Sequence, residues 1–279
     1  MLQFFPSKSY KATFSRGTRP RLEYVCNVGP ESSWMPRSMH EHETLAEILF
    51  LYEGAGIYRI DGKRYTAQKG DLILYNSHTV HDEFGGSGTK LSSYCVAVSE
   101  LSIPALPRNH IVPKSLSPIQ PTGNLFSSFL HLFSLIEAEA KAHAETAHYL
   151  AMALICKVAA LLKESGVPCM ERVPTLATRA LSFIDKNYKE PIRLGDIAKA
   201  VNANPYYFAH QFKEEVGLSP MRYVVLRRIG EAQNLLINTQ KTITQIATQV
   251  GYNNSNYFQN VFKGALGMTP REYRLKWTV

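Results

Sequence analysis

A repeat in the last third of the chain constrains the fold more than any other feature. Residues 196–201 read Asp-Ile-Ala-Lys-Ala-Val, and residues 245–250 read Gln-Ile-Ala-Thr-Gln-Val. Further on, Tyr206-Tyr-Phe-Ala-His-Gln-Phe-Lys213 matches Asn256-Tyr-Phe-Gln-Asn-Val-Phe-Lys263. Gly217, Pro220 and Tyr223 then match Gly267, Pro270 and Tyr273. Matching positions are 49 apart before the turn and 50 apart after it, so one copy holds one extra turn residue. Ile197 and Val201 lie four residues apart, as do Phe208 and Phe212, and Ile246, Val250, Phe258 and Phe262 repeat both spacings. That period puts each pair on one face of a short helix, and the small Ala198 and Ala247 let a second helix cross the first closely. The turn between them needs a residue tolerant of positive φ, which Asn202 and Gly251 supply. Ser219-Pro220 and Thr269-Pro270 each offer an N-cap followed by a first-turn proline. Thr242 with Gln245, and Thr269 with Glu272, have the spacing of capping boxes. Residues 221–237 are long enough to join the two units as one continuous helix. The expectation is a double helix-turn-helix over residues 176–279.

Charge points the same way. The chain carries 31 Lys+Arg and 23 Asp+Glu, a formal +8. Residues 174–279 hold 14 and 7 of these, leaving 17 and 16 to the rest. A basic excess confined to the helical repeat favours a polyanionic partner. In a helix-turn-helix the outer side of the second helix enters the major groove. With the phenylalanines buried, the outward positions are Tyr206, Ala209, His210 and Lys213 in the first unit. In the second they are Ser255, Asn256, Gln259, Asn260 and Lys263. Asn and Gln suit adenine edges, Tyr and Ala a thymine methyl, and Lys a phosphate. Neither face offers an arginine for guanine. Double-stranded DNA is the expected partner.

The rest of the chain reads differently. Residues 20–100 hold short β-rich runs at 46–52, 71–75 and 91–98, and Asp61-Gly62 between β-rich flanks marks a hairpin. A barrel or sandwich over residues 1–122 is expected. Gly85-Gly86-Ser87-Gly88 lacks the Lys-Ser or Lys-Thr of a phosphate loop and reads as a hairpin loop. Residues 103–123 hold five prolines and read as irregular. Two helices follow within 123–166. Leu125, Phe129, Leu132, Phe133 and Ile136 line one, and Leu150, Leu154, Val158, Leu161 and Leu162 the other. They suit core packing or dimer contact, and residues 167–175 read as a linker. Overall the expectation is an α+β multidomain chain. The apolar run at 149–162 is interrupted by Lys157 and is short for a bilayer. No secretory pattern opens the sequence, and Cys26, Cys95, Cys156 and Cys169 are scattered. A cytoplasmic protein with reduced thiols and no membrane partner is the expectation.

The paired Ile-Ala-x-x-Val units, the stretch Val250-Gly-Tyr-Asn-Asn-Ser-Asn-Tyr-Phe-Gln-Asn-Val-Phe-Lys263 and Gly267-Met-Thr-Pro-Arg-Glu-Tyr273 together resemble the AraC/XylS family of bacterial transcription regulators. The resemblance covers residues 176–277. It implies two units reading successive major-groove segments, with a rigid helix between them. The sequence departs at Arg193, where the family usually has a capping Ser or Thr. The family often carries an N-terminal cupin-like β-barrel that binds a small effector. His40-Glu-His42, Glu47, Gly54, Gly70 and His81 follow the cupin order. Asn76 and His78 depart from it, standing where Pro and Gly are usual. In metal-bearing cupins the three histidines and the glutamate are ligands, a donor set suited to Mn, Fe, Zn or Ni. In regulators they commonly line a metal-free pocket. His40, His42, Glu47 and His81 are therefore the candidate effector site and the candidate divalent-metal site, and no cofactor is assigned. Trp34, Tyr58 and Tyr94 are candidate pocket walls. The implied function is a non-enzymatic, homodimeric transcription regulator under small-molecule control, contacting RNA polymerase if it is an activator. The alternative is a metal-dependent cupin enzyme, or a metal sensor, with a DNA-binding tail.

Overall fold

A computed structural model describes residues 3, 11–30, 37–83, 91–169 and 175–277 of the chain. Trp34 and the glycine-rich stretch 85–88 lie outside the described residues.

Two antiparallel sheets form the N-terminal part. One is ordered β1 (Arg21–Val28), β8 (Ser92–Ser99), β3 (Ala46–Glu53), β6 (Asp71–Tyr75) and β9 (Ile119–Pro121). The other is ordered β2 (Arg37–His40), β7 (His81–Glu83), β4 (Ala55–Ile60) and β5 (Lys63–Gln68). The hairpin expected at Asp61-Gly62 joins β4 to β5, with φ of 48° and 74° at its two turn residues. Both values suit a type I′ turn. The proline-rich passage is less irregular than its composition suggests, since β9 pairs with β6 before the chain turns into helix.

Strand β3 is buried on both faces, which explains its unbroken apolar run. Leu49 and Leu51 point between the sheets and pack with Tyr58, Ile60, Ile73 and Tyr75. Ile48 and Phe50 point the other way, toward helices α1 (Phe126–Ala142) and α2 (Ala144–Ser165). There Phe50 stacks on Phe133 with ring centroids 5.4 Å apart. Each such buried ring contributes about 1.5–3 kcal/mol. The apolar faces read from the sequence go to this core: Phe129, Phe133, Ile136, Leu154, Val158 and Leu161 are all buried. Helix α2 is longer than the apolar run that signals it, and by length and composition could cross a membrane. Six of its residues are buried in the protein, five of them in the core against the sheet.

Seven helices complete the chain: α3 (Leu176–Asn187), α4 (Leu194–Ala200), α5 (Pro205–Val216), α6 (Pro220–Asn238), α7 (Ile243–Gln249), α8 (Ser255–Leu266) and α9 (Pro270–Trp277). The repeat becomes two units with separate cores, one around Phe208 and Phe212 and one around Phe258 and Phe262. The turns follow the sequence reading, with Asn202 at φ 55° and Gly251 at φ 88°. Gly251 has a second constraint, because a Cβ there would come within 2.3 Å of the Lys189 carbonyl oxygen. Ser219 accepts from the Arg222 amide, and both capping boxes form. At Arg193 the cap is one-sided. Asp196 accepts from the Arg193 amide at 2.8 Å, but arginine has no acceptor to return the bond.

Arg228, in the middle of α6, fixes the two units to each other. Its guanidinium donates to the carbonyls of Tyr188 and Glu190 in the first unit, at 2.6 and 2.7 Å. It also donates to the Gly251 carbonyl in the turn of the second, at 3.0 Å, and lies over the Tyr252 ring.

Candidate functional site

Successive side chains of a strand point to opposite faces, and this rule builds the site. His40 at the end of β2 and His42 just beyond it share the inner side of the four-stranded sheet. His81 starts β7 and is paired directly with His40. Glu47 comes from the facing sheet, after bends at residues 43 and 44, and shares its side of β3 with Leu49 and Leu51. One donor atom from each of these four residues lies within 4.8 Å of all the others. The His81 Nε2 is 3.0 Å from one Glu47 oxygen, and the His42 Nε2 is 3.6 Å from the other.

The surroundings hold these groups in place. Backbone carbonyls of Ser38 and Thr79 lie 2.9 Å from the Nδ1 atoms of His40 and His81. Such bonds set the tautomer and leave Nε2 as the inward atom. The Tyr24 hydroxyl donates to Glu47, and the Tyr75 ring stacks on His81 at 3.8 Å between centroids. Glu47 and His81 are each 1% exposed, and His40 is equally buried. His42 is the member that reaches solvent. Three imidazoles and one carboxylate at this spacing fit a divalent first-row cation. They equally offer hydrogen-bond donors and acceptors to a small polar molecule. A separate cavity of about 240 Å³, lined in part by Lys63, Tyr65, Lys114 and Cys169, includes none of the four.

Tyr58 lies in the apolar cluster between the sheets. Tyr94 does not. The strand register sets it opposite Phe50, on the helix-facing side, where it stacks on Phe133 at 5.8 Å. Tyr24 and Tyr75 are aromatic residues that touch the cluster, at the Glu47 carboxylate and the His81 ring. The two departures from the cupin order are absorbed locally. His78 adopts φ 60°, the conformation a glycine would take easily and one histidine tolerates. The Asn76 amide spans the loop at 111–112, accepting from the amides of Ile111 and Val112 and donating to the Val112 carbonyl.

The helical units present the expected faces. Tyr206, His210 and Lys213 are exposed on α5, and Ala209 is half-buried. On α8, Asn256, Asn260 and Lys263 are exposed, and Ser255 and Gln259 are half-buried. Tyr206, at 86%, is the most exposed large hydrophobic side chain among the described residues. Tyr207 and Tyr257, missed in the sequence reading, are also exposed at equivalent positions of the two units. The repeat itself was the signal for this pair, since the two tyrosines align in it.

A β-rich module with a buried polar cluster, followed by two helix-turn-helix units with open second helices, defines a two-part DNA-binding regulator. The family comparisons agree. Residues 32–155 match the AraC-like ligand binding domain, and residues 197–276 match a helix-turn-helix domain. The HTH-type transcriptional regulator YdiP of Escherichia coli (strain K12) is 23% identical over 271 residues, covering 94% of this chain and 88% of the relative. The HTH-type transcriptional activator RhaR of Shigella dysenteriae is 24% identical over 243 residues, covering 84% and 86%. Among solved structures, the C-terminal domain of AraT, a response regulator from Geobacillus stearothermophilus, is 31% identical. It covers 39% of this chain and 91% of that one, with a TM-score of 0.38. The chain belongs to the AraC family of DNA-binding transcription regulators and carries that family's ligand-binding domain.

Proposed function

We propose that this protein regulates transcription in the cytoplasm as a homodimer, under control of a small-molecule effector recognised at His40, His42, Glu47 and His81. The observation that carries the reading is the convergence of these four groups from both sheets of an AraC-like ligand-binding domain. Operator bases are read by Tyr206, Ala209 and His210 on α5, and by Ser255, Asn256, Gln259 and Asn260 on α8. Lys213 and Lys263 take phosphates. The dimer surface in this reading is the side of α2 that the barrel leaves open. Tyr149, Ala153, Cys156 and Ala160 are exposed there at alternating spacings of four and three residues, the seam of a helix pair. If the protein activates, it also meets RNA polymerase.

A second reading makes the signal a divalent cation. The carbonyl-oriented imidazoles favour it, because metal-bound histidines are usually held that way. His40, His42, Glu47 and His81 would be the ligands. Selection of genomic fragments by the purified protein, with and without metabolite pools or divalent ions, tests both readings. An operator whose affinity responds to a metabolite supports the first, and a response to the ion alone supports the second. No enriched fragment would refute the regulatory assignment. A stoichiometric metal whose removal abolished turnover of a substrate, with operator binding unchanged, would favour a cupin enzyme instead.

A further inference from the structure

The two strands that carry the histidines are also the strands on which the helical domain sits. Inward, β2 and its extension present His40 and His42. Outward, they present Met39 and Glu41. Met39 is buried in the core of the first helix-turn-helix unit, beside Val80, the residue before His81. Glu41 accepts from Arg227 of α6 at 2.6 Å, and the Met39 carbonyl accepts from the same guanidinium at 3.4 Å. Arg227 is 1% exposed, and its Nε donates to Asp185 of α3 at 2.8 Å. Six residues along α6, Gln233 accepts from the Ser38 amide at 2.9 Å and donates to the Tyr273 hydroxyl of α9 at 3.0 Å. Strand β2 is thereby tied to the first unit through Arg227 and to the second through Gln233.

The fit depends on a glycine in mid-helix. A Cβ on Gly230 would lie 2.1 Å from the Met39 carbonyl oxygen and 2.9 Å from that of Ser38, both backbone atoms. Glycine inside a helix is less stable than alanine, and here it permits the close approach.

We propose that this contact is a relay: changes on the inner face of β2 and β7 are transmitted through Met39, Glu41 and Gly230 to α6 and reset operator affinity. The contact is suited to reversal. Undocking lets Arg227 regain water while keeping Asp185, which offsets part of what the loss of the Arg227–Glu41 pair costs. A modest preference of an inner-face ligand for one state then shifts the population. Identifying that ligand rests on the sensing role given above to the four-residue cluster, but the relay itself can be tested without it.

The test measures operator affinity by fluorescence anisotropy for the full chain, using an operator obtained by fragment selection. Two inner perturbations are applied: addition of Zn²⁺, and His40→Ala. Each is made in the wild-type background, in Gly230→Ala and in Glu41→Gln, with circular dichroism as the folding check and elemental analysis for zinc uptake. The expected result is a shift of about fivefold or more in the wild type. In Gly230→Ala, zinc uptake persists and the shift falls below about twofold, and Glu41→Gln reduces it in the same direction should Gly230→Ala not fold. Equal shifts in all backgrounds, or no shift from either perturbation in the wild type, would overturn the relay. If zinc is not taken up but His40→Ala still acts only through Gly230, the relay stands and the metal reading of the cluster fails.

Discussion

Arg228→Ala isolates the fastening of the two DNA-reading units to each other. The guanidinium makes three hydrogen bonds to backbone carbonyls, two of them part-buried and one exposed. A bond from a charged donor is worth about 1.5–3 kcal/mol when well formed. Taking the low end for the two part-buried bonds and nothing for the exposed one gives about 3 kcal/mol. The approach over the Tyr252 ring adds about 0.5 kcal/mol. Of this, the Gly251 bond and the ring approach, about 2 kcal/mol together, fall on the turn of the second unit, where the Tyr252 amide donates to the Ala247 carbonyl, and the Tyr188 bond belongs to the first unit. At about 1.4 kcal/mol per factor of ten, hydrogen exchange of that amide is expected to accelerate by about 30-fold. Exchange in β8 stays unchanged. A hydroxyl-radical footprint on a selected operator should show weaker protection of the groove read by α8, since the second unit is no longer held in register. Exchange within threefold of the wild type, with both grooves protected as before, would refute the argument.

Other expectations follow from the same geometry. Gly251→Ala destabilises the helical domain more than Asn202→Ala, because it adds a backbone clash and the positive-φ cost of about 1–2 kcal/mol, whereas Asn202 already carries a Cβ at its positive φ. Hydrogen exchange in α8 and α5 reads the two effects, and equal losses would sink the clash argument. Lys213→Ala lowers operator affinity about evenly across sequences and reduces the salt-dependence slope by about one; an unchanged slope would remove Lys213 from the phosphate contacts. The bonds from Thr269 hold the Glu272 carboxyl below its ordinary range. A depressed folded value means the contribution is present above the unfolded pKa, near 4.5, and is lost as pH falls through the folded one. Protection of the first turn of α9 should therefore decline on acidification, and Glu272→Gln should remove that dependence. Tyr149→Glu, placed on the open face of α2, should shift a concentration-dependent dimer toward monomer in analytical ultracentrifugation; an unaltered equilibrium would move the dimer surface elsewhere.

The helical half was legible because its determinants are local. The period of Phe208 and Phe212, the tolerant Asn202 and the cap at Ser219 all act within a few residues of themselves. The cluster was legible only as an order of residues. That His81 meets Glu47 at 3.0 Å depends on the facing of two sheets, which no local pattern encodes. Tyr94 shows the same limit in reverse, since its side of the strand is set by pairing with Phe50 rather than by its own neighbours. The docking of β2 on α6 was not legible at all, because Met39 and Arg227 are 188 residues apart. One trace of it was in plain view. Gly230 falls inside the helix read over residues 221–237, where glycine is unfavourable and where its missing side chain leaves room for another backbone.

Strand β2 has a consequence for changing what the protein responds to. Its inward positions hold the chemistry facing any signal, and its outward positions hold the mechanics, interleaved one by one along the same few residues. Substitution at 40 or 42 can therefore alter the inward chemistry while the side chains of 39 and 41 that contact the helical domain are retained. Insertion of a single residue there would do the reverse, turning the histidines toward α6 and the anchor residues toward the interior. A redesign of this receptor thus has freedom to replace side chains in this strand and none to change its length.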